Sequence, residues 1–78
     1  MLYTIFTKSD CPNCVQAKAL LKSEDIEFIE KNVEEDAEAL TYLSQMGLRS
    51  LPQILKGNSL VQNGLQGLQR LWREGNLL

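Results

Sequence analysis

The two cysteines of this chain lie three positions apart in the stretch Lys8-Ser9-Asp10-Cys11-Pro12-Asn13-Cys14, and that spacing constrains the surrounding fold more than any other feature. The preceding residues, Leu2 to Thr7, are aliphatic, β-branched or aromatic, the composition of a short buried strand. Pro12 has no N–H to give, so it suits the first position of a helix, where that donor would find no intrahelical acceptor. The chain is therefore expected to pass from strand to helix with Cys11 as the N-cap. Unpaired N–H groups and the positive end of the helix dipole gather there, and for a cysteine they favour the thiolate. Cys14 follows about one helical turn later, close enough for its sulfur to reach back to Cys11 and close a small disulfide ring. A redox-active dithiol is the expectation, with Cys11 as the attacking thiolate and Cys14 as the more buried partner.

A single domain over residues 1–78 is what this length allows. A core of that size supplies only about 3–5 kcal/mol, so local signals must agree with one another. Net charge is −2 and the eight Lys and Arg are dispersed, which argues against nucleic acid as a partner. No apolar run approaches a membrane span, and Met1 leads into the first strand without a basic and apolar leader. A cytoplasmic monomer without membrane attachment is expected. In such a setting CxxC points to a cycling dithiol rather than a structural disulfide, whose usual setting is secreted. With two cysteines and no histidine, a four-ligand zinc site cannot be filled within the chain, and no metal ligands are assigned.

Along the chain, Leu2–Thr7 lacks strict alternation, as expected of a central strand covered on both faces. A helix from Pro12 to about Glu24 would bury Cys14, Ala17, Leu20 and Leu21 and turn Lys18 and Lys22 outward. Ile26–Lys31 forms a second strand, parallel to the first through a right-handed crossover. Asn32-Val33-Glu34-Glu35 has the form of a capping box. It places the acidic run Glu34, Glu35, Asp36 and Glu38 in the first turns of a second helix, where negative charge complements the dipole. Ala37, Leu40 and Leu43 would be its buried side and Gly47 its C-cap. Leu48–Pro52 is a loop whose proline holds Leu51 extended and permits a cis bond. Gln53–Lys56 and Ser59–Gln62 pair across a Gly57-Asn58 turn. Asn63-Gly64-Leu65-Gln66 repeats the capping pattern and opens a last helix through Leu68, Leu71 and Trp72 to Gly75. Trp72 is assigned to the core or its edge, and Arg70 and Arg73 to the dipole of the last turns. The result is an α/β fold of order βαβαββα, a four-stranded mixed sheet with three helices on its two faces.

Thr7-Lys8, Cys11-Pro12 and Cys14, then Ala17-Lys18-Ala19-Leu20-Leu21, then Leu51-Pro52-Gln53-Ile54 match the patterns TK..CP.C, AKALL and VPQI of glutaredoxins. The chain resembles that family, a compact branch of the thioredoxin-like fold, over nearly its whole length. The resemblance implies that Pro52 is a cis-proline packed beside the CxxC, and that the backbone of Leu51 pairs with a bound glutathione or substrate chain. It also implies that Asn63-Gly64-Leu65-Gln66-Gly67-Leu68 stands where glutaredoxins carry Gly-Gly-x-Asp-Asp-Leu, which receives the γ-glutamyl end of glutathione. Gly64, Leu65 and Gln66 would then be contacts, with Asn13 beside them and Lys8 and Arg49 attracting carboxylates. Two places depart from the pattern: Asn13 replaces the usual tyrosine, and Gln66 and Gly67 replace paired aspartates. N–H groups at that helix start can still hold a carboxylate, but the acidic partners for the glutathione amino group are missing.

By the same resemblance no cofactor is bound, and glutathione serves as co-substrate. NrdH-type redoxins share this body but are reduced by thioredoxin reductase and donate electrons to ribonucleotide reductase. The expected partners are accordingly glutathione or a disulfide reductase on one side, and disulfide-containing proteins, ribonucleotide reductase among them, on the other. The tryptophan-containing segment that NrdH redoxins carry before the cis-proline is not recognised in this chain. Small copper carriers also place CxxC after a first strand and bind the metal through soft thiolates, but their order is βαββαβ. An iron–sulfur cluster bridged between two chains follows from family analogy alone.

Overall fold

A computed structural model describes residues 2–78; Met1, and with it the reading of what leads into the first strand, lies outside the described residues. Among these, the elements are β1 (Tyr3–Thr7), α1 (Pro12–Ser23), β2 (Phe28–Asn32), α2 (Ala37–Gln45), β3 (Gln53–Lys56), β4 (Ser59–Leu60) and α3 (Gly64–Glu74), the expected βαβαββα order. The strands form one mixed sheet in the order β2-β1-β3-β4. β1 runs parallel to β2, with Tyr3 opposite Phe28 and Thr7 opposite Asn32, and antiparallel to β3. Its central place follows from having apolar residues for both faces. Tyr3 and Ile5 pack with Ala17, Leu21, Ile54 and Leu68 under α1 and α3, while Phe6 packs with Ala39 and Leu43 under α2. Tyr42 stacks on Phe6 with ring centroids 5.4 Å apart. The C-terminal end of β1 thus delivers the chain, well buried to Thr7, directly to the cysteine loop.

Helix α1 ends one residue before the expected Glu24, and β2 begins later than Ile26. Asp25 takes a left-handed conformation at φ 56°. The Asp25 N–H donates to the Lys22 carbonyl (3.1 Å) and the Ile26 N–H to that of Leu21 (2.9 Å). This is a Schellman ending, and it draws Ile26 into the core as the hydrophobic residue that closes the helix instead of leaving it in the strand. Gly47, at φ 69°, closes α2 in the same way and as expected, with the Leu48 N–H on the Leu43 carbonyl (2.9 Å).

Helix α2 starts later than the capping-box pattern suggests. Asn32 remains the last residue of β2, and its side-chain oxygen accepts from the Glu34 N–H (2.9 Å) in a tight turn. Asp36 is the N-cap, accepting from the Ala39 N–H (3.1 Å). Two residues with capping side chains stand four apart, and the pairing of Asn32 with Thr7 decides between them. Only Glu38 of the acidic run then lies in the first helical turn. The buried face is Ala39 and Leu43, with Leu40 50% exposed and Ala37 exposed. At α3, Asn63 occupies the N-cap position at φ 65° but makes no side-chain capping bond. Trp72 is 48% exposed, so Leu68 and the half-buried Leu71 pack that helix without it. The strand after the hairpin turn is shorter than Ser59–Gln62, since β4 ends at Leu60.

Candidate active site

Pro12 begins α1 and Cys11 is its N-cap, with extended backbone at φ −115°, ψ 97°. The Cys14 N–H donates to the Cys11 sulfur (3.1 Å), so a helix-start donor is aimed at the atom that would carry thiolate charge. The two sulfurs are joined as a disulfide, with Cα atoms 5.2 Å apart. Cys11 is 7% exposed and Cys14 only 1%. An attacking reagent therefore reaches Cys11 before Cys14.

The approach to Cys11 is held from a distance. Asp10 has φ 56°, and just before it the Ser9 N–H donates to Glu34 Oε1 (2.9 Å). Hydrogen bonding from Ser9, side chain first and backbone second, holds the Glu34 carboxyl below its ordinary value, and the Lys8 charge adds to this. Glu34, assigned from sequence to the dipole of α2, is thus an anchor for the cysteine loop. No local pattern announces a contact between residues 25 apart in sequence.

On the other flank, the Leu51–Pro52 bond is cis, as expected. Gln53 Nε2 donates to the Ser50 carbonyl (2.7 Å) and hydroxyl (3.2 Å), fixing that loop. The start of α3 lies close against it: a Cβ on Gly64 would stand 2.6 Å from the Pro52 carbonyl oxygen. One on Gly67 would stand 1.8 Å from the Gln62 carbonyl oxygen, which leaves no room there for the second aspartate of the glutaredoxin pattern.

Two grooves flank the CxxC. The first, about 410 Å³, is lined by Asn13 and Gln16 of α1, Ser50, Leu51 and Pro52 of the loop, and Asn63, Gly64, Leu65, Gln66 and Gln69 at α3. It gathers six of the residues proposed from sequence: Asn13, Leu51, Pro52, Gly64, Leu65 and Gln66. Lys8 lines the second groove instead, about 530 Å³, with Asp10, both cysteines, Lys18 and Glu30. Arg49 is exposed and lines neither. Gln16 and Gln69 were missed, although each lies three residues beyond a proposed contact and so shares its helix face.

In the second groove, Glu30 Oε2 accepts from Lys18 Nζ (2.9 Å) and from the buried Thr7 hydroxyl (2.8 Å). Lys18 first, and Thr7 after it, pull the Glu30 carboxyl below its ordinary 4.5. A lowered folded value means that this contact's stabilisation is fully present above about pH 4.5 and is lost as pH falls through the folded value. Lys18→Met is therefore expected to flatten the rise of the urea midpoint as pH increases toward about 4.5. Wild-type steepness in the variant would remove the assignment.

Among the described residues, no group of three or more His, Cys, Asp or Glu is placed to hold a metal ion. Among the same residues, no helix is long and apolar enough to cross a membrane.

Comparison with known proteins places these features in context. The glutaredoxin family model matches residues 3–61. A glutaredoxin of Neisseria meningitidis is 38% identical over 76 residues, covering 95% of this chain and 88% of the relative. The glutaredoxin-like protein NrdH of Lactococcus lactis is 33% identical over 55 residues, covering 70% and 76%. Among solved structures, the NrdH-redoxin of Escherichia coli, a glutaredoxin-like protein with a thioredoxin-like activity profile, superposes with a TM-score of 0.78 at 30% identity, covering 91% of this chain and 95% of that one.

Proposed function

The chain belongs to the glutaredoxin family of thiol–disulfide oxidoreductases, and from that premise we propose that it reduces protein disulfides or glutathione mixed disulfides through Cys11 and Cys14. The observation that carries this reading is the asymmetry of the pair. Cys11 sits at the helix N-cap with an N–H on its sulfur, and Cys14 lies behind it, almost fully buried.

In the reduced protein, the Cys11 thiolate attacks one sulfur of the substrate disulfide. A new bond forms between Cys11 and that sulfur, and the other leaves as a thiolate that takes up a proton. Cys14 then gives up its proton and attacks the Cys11 sulfur. This releases the second substrate thiolate and leaves the Cys11–Cys14 disulfide, so two electrons have passed from the protein to the substrate. Alternatively a glutathione thiolate attacks Cys11 in place of Cys14. The backbone of Leu51, beside cis-Pro52, pairs with the incoming chain, while Asn13, Gly64, Leu65 and Gln66 meet its side groups. No resident cofactor takes part, and glutathione is a co-substrate. The cycle suits a compartment that keeps thiols reduced, as the cytoplasm does.

A second reading, an NrdH-type redoxin fed by thioredoxin reductase and serving ribonucleotide reductase, is favoured by one observation. The groove beside cis-Pro52 has no acidic side chain for the amino group of glutathione. The test is reduction of a small mixed disulfide with glutathione plus glutathione reductase and, in parallel, with thioredoxin reductase. Turnover is expected with glutathione, at a higher concentration than relatives with paired aspartates require. Turnover with thioredoxin reductase alone replaces the first reading by the second, and turnover with neither removes both.

A further inference from the structure

We infer that the groove beside cis-Pro52 selects disulfides whose flanking segment is uncharged and rich in hydrogen-bonding groups, and disfavours charged thiol carriers such as glutathione. This rests on the oxidoreductase reading above and names the substrate class that the same site takes.

The inference comes from how charge is partitioned about the disulfide. Every side chain with a polar head along the first groove is neutral: Asn13, Gln16, Ser50, Asn63, Gln66 and Gln69. The charged residues that share a groove with the cysteines, Lys8, Asp10, Lys18 and Glu30, line the second one, and there Lys18 and Glu30 are bound to each other. A carboxylate or ammonium entering the first groove gives up water and meets no oppositely charged side chain, which costs free energy that a neutral group does not incur. Carboxamide side chains offer donors and acceptors together, the complement of peptide groups and of Asn, Gln or Ser side chains.

Two further features narrow the routes by which charge could be met. At the start of α3 the Gln66 N–H donates to the Asn63 carbonyl (3.1 Å), so that donor is not free for a carboxylate. At position 67 the Gln62 carbonyl oxygen excludes an acidic side chain that could meet an ammonium. Specificity here is a difference of affinities, set as much by what the groove leaves unpaired as by what it binds.

The test uses pre-reduced, desalted protein mixed with disulfide-bridged peptides that differ only in the residues beside cysteine, Gln, Asp or Lys, and with glutathione disulfide. Each rate constant is divided by that of the same disulfide with dithiothreitol, which cancels the effect of the flank on the leaving thiol. The Gln-flanked peptide is expected to react about tenfold faster than either charged peptide, with little change between about 50 and 200 mM salt. Gln69→Lys is expected to raise the rate for the Asp-flanked peptide and to make it salt-dependent. Equal normalised rates for all flanks, or a faster charged peptide, would overturn the selectivity and leave the oxidoreductase reading standing. If no disulfide oxidises the protein although brief alkylation still labels Cys11, the oxidoreductase reading falls and takes the selectivity with it.

Discussion

Cys11→Ser is expected to lower the reduction of both protein disulfides and glutathione mixed disulfides by at least about a thousandfold, because a serine hydroxyl at neutral pH is not a nucleophile that the helix start can activate as it does a thiol. Cys14→Ser should divide the two activities. Deglutathionylation needs one attacking thiolate, since a second glutathione can resolve the mixed disulfide on Cys11. It should stay within about tenfold of wild type, whereas reduction of a protein disulfide, which needs a thiol next door, should fall by about a hundredfold or more. The burial of Cys14 adds a control, since the reduced variant lacking Cys14 should still alkylate quickly at Cys11. If Cys14→Ser abolishes glutathione-dependent turnover while the wild-type protein accepts electrons from thioredoxin reductase, the NrdH-type reading prevails. If Cys11→Ser retains protein-disulfide reduction, the assignment of the nucleophile is wrong.

The second large effect is expected at Gly67. A methyl group there would stand 1.8 Å from the carbonyl oxygen of Gln62; the oxygen is backbone and the methyl is fixed directly to Cα, so neither can swing aside. Gly67→Ala must push α3 off the segment following β4, at a cost of about 2–3 kcal/mol. In a domain of this size that lowers Tm by at least about 10 °C. Gly75→Ala is the comparison. Its φ of +75° is unfavourable for alanine, yet nothing lies within 4 Å of the added atom, so a loss of only about 1 kcal/mol is expected. Thermal unfolding of the two variants side by side reads the difference. Equal losses would show that the close approach at Gly67 relaxes at little cost.

How much of this was legible in the sequence depended on how local its causes are. Pro12 after Cys11, Gly47 after an apolar helix and Gly57-Asn58 between strands carry their effects within a few residues, and the corresponding cap, stop and turn formed as expected. The start of α2 was misplaced because Asn32 and Asp36 can both cap, and only the pairing of β2 with β1 holds Asn32 in the sheet. Trp72 shares the hydrophobic spacing of Leu68, but hydrophobic spacing does not say how wide the buried stripe is. The cysteines form a disulfide, and Asn13, Leu51, Pro52 and the Gly64–Gln66 turn, all singled out by motifs, line one groove. The placement of Lys8 in a different groove from that turn, and the separation of Arg49 from both grooves, depend on how loops from distant parts of the chain meet.

The bond from Ser9 to Glu34 bears on whether the cysteine loop is a transferable part. Residues 8–14 contain the helix cap, the proline and both thiols, and grafted onto another strand–helix junction they would carry the disulfide with them. They would not carry the carboxylate from the β2–α2 turn that holds Ser9 just ahead of the left-handed Asp10. A graft that keeps this loop's geometry therefore needs an acidic acceptor on the neighbouring turn as well, so the smallest portable unit is the loop together with the crossover that brings Glu34 alongside it.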